Sequence, residues 1–323
     1  MNFKHLAVAA LLGCSMAAQA TSWTGYTYSS VSTTSAVKGM NRIVERMADE
    51  TQGELDIKLH LGKTLHIKSS DITQAVGDGV IEFAADYFFS GNVPVARVLN
   101  LPMLIENDAQ WQKAFAAMQP MLESEFARQG VVMWGSYRYP QQVIFTTFPI
   151  ASLSDLEGRK IRVTSPEQGE FVKRFGGLPI TLSGSEVPTA LERGVIEGVL
   201  TASAGGAKKW HEFLPNNYRF AVNYGNSMII ANTDAFEDLD ESAQASLRRI
   251  AAEEGEKTSA AFIEDEAAQM AAQKAKGMNI VAEAEGDKAK ARELLRPYWS
   301  EWAKANGPQY EEALGLVLKA IGK

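Results

Sequence analysis

Runs with strand periodicity and runs with helix periodicity take turns along this chain, and that alternation restricts its fold more than any other feature. Leu55, Ile57, Leu59 and Leu61 alternate with polar residues, the period of a half-buried strand. Just before them Met40, Ile43, Val44 and Met47 fall at helical spacing, and Gly53 supplies the break. A short helix is predicted over about 70–76, an apolar strand over 80–85, a helix over about 108–128 and a strand over 131–134. This order predicts α/β sheets, mostly parallel, with helices on both faces, because parallel neighbours need a crossover that a helix best provides. From Ser242 to about Gly277 an Ala/Glu/Lys-rich stretch predicts one long helix with Leu247, Ile250, Ala251, Ala261 and Ile263 on its buried stripe. Residues 288–321 predict two closing helices.

A short repeat points to two related units. Residues 73–82 read TQAVGDGVIE and residues 189–197 read TALERGVIE. Each is a helix end, a glycine where a left-handed residue is wanted, and a strand opening Val-Ile-Glu.

Lys4, the apolar run Leu6 to Leu12 and Ala18-Gln19-Ala20 predict a signal peptide over residues 1–20, cleaved after Ala20. Leu11-Leu12-Gly13-Cys14 also fits lipoprotein processing at Cys14; the apolar run before it is short, so cleavage after Ala20 is preferred. That cleavage removes the one cysteine, and disulfides, thiol nucleophiles and thiolate metal sites with it. No stretch approaches the roughly 18 apolar residues of a membrane span, so no membrane insertion is expected. The ~300 remaining residues suffice for two lobes. A net charge of −7 argues against nucleic acid as partner but not against a small anion, which one local arginine can hold.

Motifs for catalysis are missing. His5, His60, His66 and His211 have no metal-ligand spacing, and no G-x-S-x-G, Walker or G-x-G-x-x-G sequence occurs. Acid pairs such as Asp155/Glu157 and Glu253/Glu254 read as solvated charge. No enzyme, cofactor or metal site is expected. A polar feature remains: Asp155-Leu156-Glu157-Gly158-Arg159-Lys160-Ile161-Arg162-Val163 ends in a short strand that carries Arg162. Ligands of open α/β lobes bind beyond the carboxyl ends of strands, where a guanidinium can grip a carboxylate through two parallel hydrogen bonds.

This stretch, with Ser185-Glu186-Val187-Pro188-Thr189-Ala190-Leu191-Glu192-Arg193-Gly194-Val195-Ile196-Glu197-Gly198 after it, resembles the solute-binding subunit (DctP-like) of tripartite ATP-independent periplasmic (TRAP) transporters. That family reads "DLkGlKiRv…SEVytALqtGvvDG" here, and the likeness extends more weakly over nearly the whole mature chain. The resemblance implies a two-lobed periplasmic binding protein fold with crossing segments near Pro140 and Asn226 and a long helix spanning both lobes. It divides the chain into 21–139 plus 227–266 and 140–226 plus 267–323. It also implies a periplasmic, monomeric receptor that hands a small organic acid to a TRAP membrane permease, with Arg162 on the carboxylate. Two other readings stay open: a binding protein of an ABC importer or sensor kinase, and a periplasmic enzyme using Glu82 or Asp86 as base.

Other positions depart from the family. Gln142 stands where a second arginine is common, with Arg138 near but out of register, and Thr201 replaces an asparagine. Gly184 replaces an aromatic, which is expected to free space, and Thr164-Ser165 replace Pro-Asn. Fewer cations and donors favour a monocarboxylate with a small or apolar body over a dicarboxylate. On the first lobe the resemblance points to Ser29, Asp86 and Tyr87. Asp86 across from Arg162 would suit an ammonium and hence an amino-bearing ligand; its other reading is a turn aspartate. Trp210, Trp134 and Tyr137 read equally as cleft wall or core.

Overall fold

The computed structural model describes residues 21–323; the expected signal peptide and Cys14 lie outside the described residues. In chain order the elements are β1 (Thr21–Thr27), α1 (Ser35–Glu50), β2 (Leu55–His60), α2 (Ile72–Gly77), β3 (Phe83–Asp86), α3 (Asp108–Ala127), β4 (Val131–Arg138), β5 (Gln142–Thr146) and β6 (Lys160–Val163). They continue with α4 (Pro166–Arg174), β7 (Leu178–Thr181), α5 (Val187–Glu192), β8 (Gly198–Thr201), α6 (Ala207–Trp210), β9 (Asn216–Asn223) and β10 (Asn226–Asn232). The chain closes with α7 (Thr233–Glu237), α8 (Glu241–Ala275), β11 (Asn279–Val281), α9 (Asp287–Asn306) and α10 (Pro308–Ile321).

The strands form two sheets, β2-β1-β3-β10-β4 and β11-β9-β5-β8-β6-β7. In the first, only β10 runs against its neighbours; in the second, only β5 does. Both reversals have one cause. β5 and β10 are the strands by which the chain enters a sheet after crossing from the other, through 139–141 and 224–225. The preceding strands, β4 and β9, end at these crossings, so the carboxyl ends of the majority strands in both sheets lie toward the junction. That edge is where open α/β folds hold ligands.

Helices cover both faces of the first sheet. Met40, Ile43 and Met47 of α1 are buried with Leu55 and Ile57 of β2 and with Leu247, Ile250 and Phe262 of α8, while α2 and α3 pack on the opposite face. Trp134 stacks on Trp23 and Phe83, and Tyr137 on Phe262, so these two aromatics belong to the core. The long helix spans both sheets. Its first half sits so close to β4 that a Cβ at Gly255 would stand 2.4 Å from the Ser136 carbonyl oxygen. Its second half is tied to the second sheet's side by Lys208–Asp265 at 2.9 Å and Arg219–Glu266 at 2.9 Å. Among the described residues, no helix is long and apolar enough to cross a membrane.

The short repeat reappears as geometry. Gly79 and Gly194 have φ of 67° and 65°, and the next valines donate to the carbonyls of Ala75 and Ala190, both at 2.9 Å. Glu82 then accepts from the Thr24 N–H, as Glu197 accepts from the Lys160 N–H. This closure of α2 consumes Val80, which is 63% exposed, so the strand predicted from residue 80 starts only at Phe83. It also makes Glu82 a strand anchor. One element departs from the expected division: α10 packs on α3 and on the 3₁₀ segment Pro94–Asn100, elements of the first sheet's side, because its apolar face (Ala313, Leu314, Val317) shares their core.

Candidate functional site

Arg162 lies on β6 between Val199 of β8 and Ile180 of β7, next to the strand's carboxyl end. Ile161 and Val163 face the core, and alternation sends Arg162 to the other face, yet it is only 3% exposed. Its Nε donates to the Leu182 carbonyl at 3.0 Å, and the guanidinium lies 5.4 Å from the Trp210 ring centre. Arg138, the other buried arginine, is ion-paired with Asp108 at 3.0 Å; Arg162 has no ion pair among the described residues. Burial lowers the Arg162 pKa to about 10, with Tyr87, Glu186 and Tyr28 opposing the shift. It remains a cation at neutral pH.

The surface across from it is aromatic and uncharged. Tyr28 follows β1, Tyr87 and Phe88 follow β3, and Tyr139 lies in the first crossing. Tyr87 meets Tyr28 at 5.6 Å and Tyr139 at 5.1 Å between ring centres, and the Tyr28 and Tyr139 hydroxyls are hydrogen-bonded. Burial pushes the pKa of Tyr28, Tyr87 and Tyr139 up, so their phenols stay neutral and leave the guanidinium charge uncancelled. Tyr87 reaches the second crossing: a Cβ at Gly225 would stand 2.5 Å from its hydroxyl, a gap only glycine leaves.

The predicted site residues fall into two groups. Arg162, Tyr87 and Trp210 come together around the guanidinium, and Ser165 lines a cavity beside it. The others hold their own loops. Gln142 donates to the Pro140 carbonyl at 2.9 Å, Thr201 accepts from the Gly206 N–H at 3.0 Å, and Ser29 accepts from the Val31 N–H at 3.4 Å. Ser165 also caps α4 by accepting from the Gln168 N–H at 3.2 Å.

Two expectations are corrected. Asp86 is no counter-charge for an ammonium: fully buried, it accepts from the Thr73 N–H and hydroxyl at 3.2 and 2.7 Å and from the Phe88 N–H at 2.7 Å. Burial raises its pKa to about 6 against the pull of those bonds. Nor does Gly184 free space, since a Cβ there would already be 3.5 Å from the Trp210 ring. Trp210 fills the place of the missing aromatic from another segment, and Gly206 lets it in, a Cβ there being 2.1 Å from the ring.

Sequence reasoning missed a polar seam beside the arginine. The Thr164 N–H and hydroxyl donate to Gln168 Oε1 at 2.8 and 3.0 Å. Gln168 Nε2 donates to Asn223 Oδ1 at 3.0 Å, and Asn223 Nδ2 to the Asn100 carbonyl at 2.8 Å. One residue away, Arg97 Nε donates to Glu167 Oε1 at 2.7 Å, with Nη2 2.5 Å from the same oxygen. The seam therefore joins the start of α4, on the second sheet, to the 3₁₀ segment on the first sheet's side. Only the Ser165-x-x-Gln168 spacing of a helix start hinted at it. No His/Cys/Asp/Glu group fit for a metal exists among the described residues.

A protein-family model described as bacterial extracellular solute-binding protein, family 7, matches residues 27–305. The ectoine-binding periplasmic protein TeaA of Halomonas elongata is 27% identical over 188 residues, 55% of this chain and 54% of that protein. The ectoine/5-hydroxyectoine-binding periplasmic protein UehA of Ruegeria pomeroyi is 30% identical over 208 residues, 61% of this chain and 60% of its own. The chain thus spans little more than half the length of the curated relatives it matches. The fold resembles that of DctP7 of Bordetella pertussis, an extracytoplasmic solute receptor binding pyroglutamic acid, with a TM-score of 0.86 at 22% identity over 94% of this chain and 100% of that one. With the family model covering most of its length, the chain belongs to family 7 of the bacterial extracellular solute-binding proteins.

Proposed function

We propose that this protein is a periplasmic receptor that takes up a small organic acid between its two lobes and delivers it to a TRAP-type membrane permease. One observation carries the reading: a buried guanidinium with no ion pair among the described residues, opposite a neutral aromatic wall on the other sheet. A buried cation left unpaired is unfavourable, and a guest carboxylate relieves it. One unpaired guanidinium matches one carboxylate, and tyrosine faces suit a compact ring. The names of the relatives agree, since ectoine and pyroglutamate each carry a single carboxylate on a small ring. Contacts from both lobes with one ligand would bias an open–closed equilibrium toward closure.

A thermal-shift screen against organic acids tests this. A ligand at about 100 times its dissociation constant adds roughly 2.7 kcal/mol, a shift of a few degrees. Arg162→Ala should remove the shift. No shift with keto, hydroxy, amino and ring acids alike would sink the receptor reading, and a neighbouring ATPase gene in place of a small and a large membrane-subunit gene would sink the transporter class.

A further inference from the structure

The cavity beside Arg162 carries a feature that the carboxylate anchor does not use. It measures about 20 Å³, room for one water-sized group, and is lined by Tyr87, Thr164, Gln168, Asn223 and Asn226 among others. Tyr87 lines this cavity and is also an electrostatic neighbour of Arg162, so cavity and guanidinium share a wall. Gln168 and Asn223 are engaged in the seam. Asn226 is not. It is 2% exposed, its Oδ1 has no hydrogen-bond partner among the described residues, and its Nδ2 meets only the Met228 sulfur at 3.9 Å. Buried amides are almost always satisfied, and one left open at a ligand cavity marks a group that the ligand completes.

We infer that Asn226 is a specificity residue whose side-chain amide pairs with a ring N–H of the ligand, so the acid taken up is a cyclic one with nitrogen in its ring. An amide edge is complementary to a lactam edge, which offers a donor to Oδ1 beside an acceptor for Nδ2; a cyclic amidine offers Oδ1 its ring N–H alone. Sugar acids lack a ring N–H and can offer Asn226 only a hydroxyl, without the carbonyl that a lactam sets beside its donor, and bind more weakly. This rests on the receptor reading and narrows its ligand class.

The test compares pyroglutamate with its lactone analogue, in which the ring N–H is replaced by oxygen, by titration calorimetry on the full mature chain. The wild type should prefer the lactam by about tenfold or more, the usual scale when a buried hydrogen-bonding group loses its partner. In Asn226→Leu the preference should fall to within about threefold, with the carboxylate still held by Arg162. Equal binding of lactam and lactone by the wild type, a comparison that needs no variant to fold, overturns the inference. So does an undiminished preference in Asn226→Leu. Glucuronate binding where neither ring acid binds also overturns it while leaving the receptor standing; no binding of any acid sinks both.

Discussion

At Arg162 the fold keeps a charge in surroundings that disfavour it. Its pKa, lowered from 12.5 to about 10 by burial, corresponds to about 3 kcal/mol against the charged form. Arg162→Met should therefore raise the melting temperature of the ligand-free protein, a gain of about 1–3 kcal/mol, while abolishing acid binding. A lower melting temperature would show that the guanidinium is structural. The same shift fixes a pH window. A carboxylate ligand binds the protonated guanidinium, so affinity should be level from about pH 6 to 9 and fall as pH rises through about 10; titration across that range checks it. Asp86 makes the opposite case. Asp86→Asn should destabilise the chain by about 1–3 kcal/mol, since one carboxylate here accepts three hydrogen bonds and an amide has a single oxygen. Its preference between an amino acid and the matching deaminated acid should not move. A changed preference would restore the ammonium role. Sequence placed Asp86 correctly at a strand end but could not name Thr73, thirteen residues earlier, as its partner.

Elements were legible where periodicity is long and where caps are local. α3 and α8 lie within a residue or two of the predicted spans, with Asn107 and Asp240 capping their first turns. The strand before Phe83 was misplaced because its first valine completes a helix terminus, a choice made by backbone geometry that hydrophobicity does not record. Close approach of elements left only a trace in sequence, as glycine. Gly255→Ala should lower stability by about 1–3 kcal/mol in urea unfolding, because the obstructing atom is a strand carbonyl with little room to move. A neutral substitution would mean that α8 can lift from β4 without loss.

For the molecule as a whole, the seam between α4 and the 3₁₀ segment lies between the two sheets and starts beside the ligand anchor. Glu167 is fully buried and takes both Arg97 contacts on one oxygen. Glu167→Gln removes that charge and should favour the open form: a larger radius of gyration with ligand in small-angle scattering, and a ligand off-rate about 5- to 100-fold faster. Unchanged scattering and off-rate would place the pair outside the closure equilibrium.

Local pattern alone determined that this chain alternates strands and helices, repeats a Gly-Val-Ile-Glu unit, carries one long helix and sets Arg162 in a short strand. Those properties depend on neighbours a few residues apart, which a sequence displays directly. Only the tertiary structure decided which polar groups remain free. Asp86, Gln142 and Thr201 are engaged by their surroundings, whereas Arg162 has no counter-charge and Asn226 Oδ1 no partner among the described residues. Whether a side chain is satisfied depends on residues brought together from distant parts of the chain, and a binding site consists of the groups that folding leaves unsatisfied.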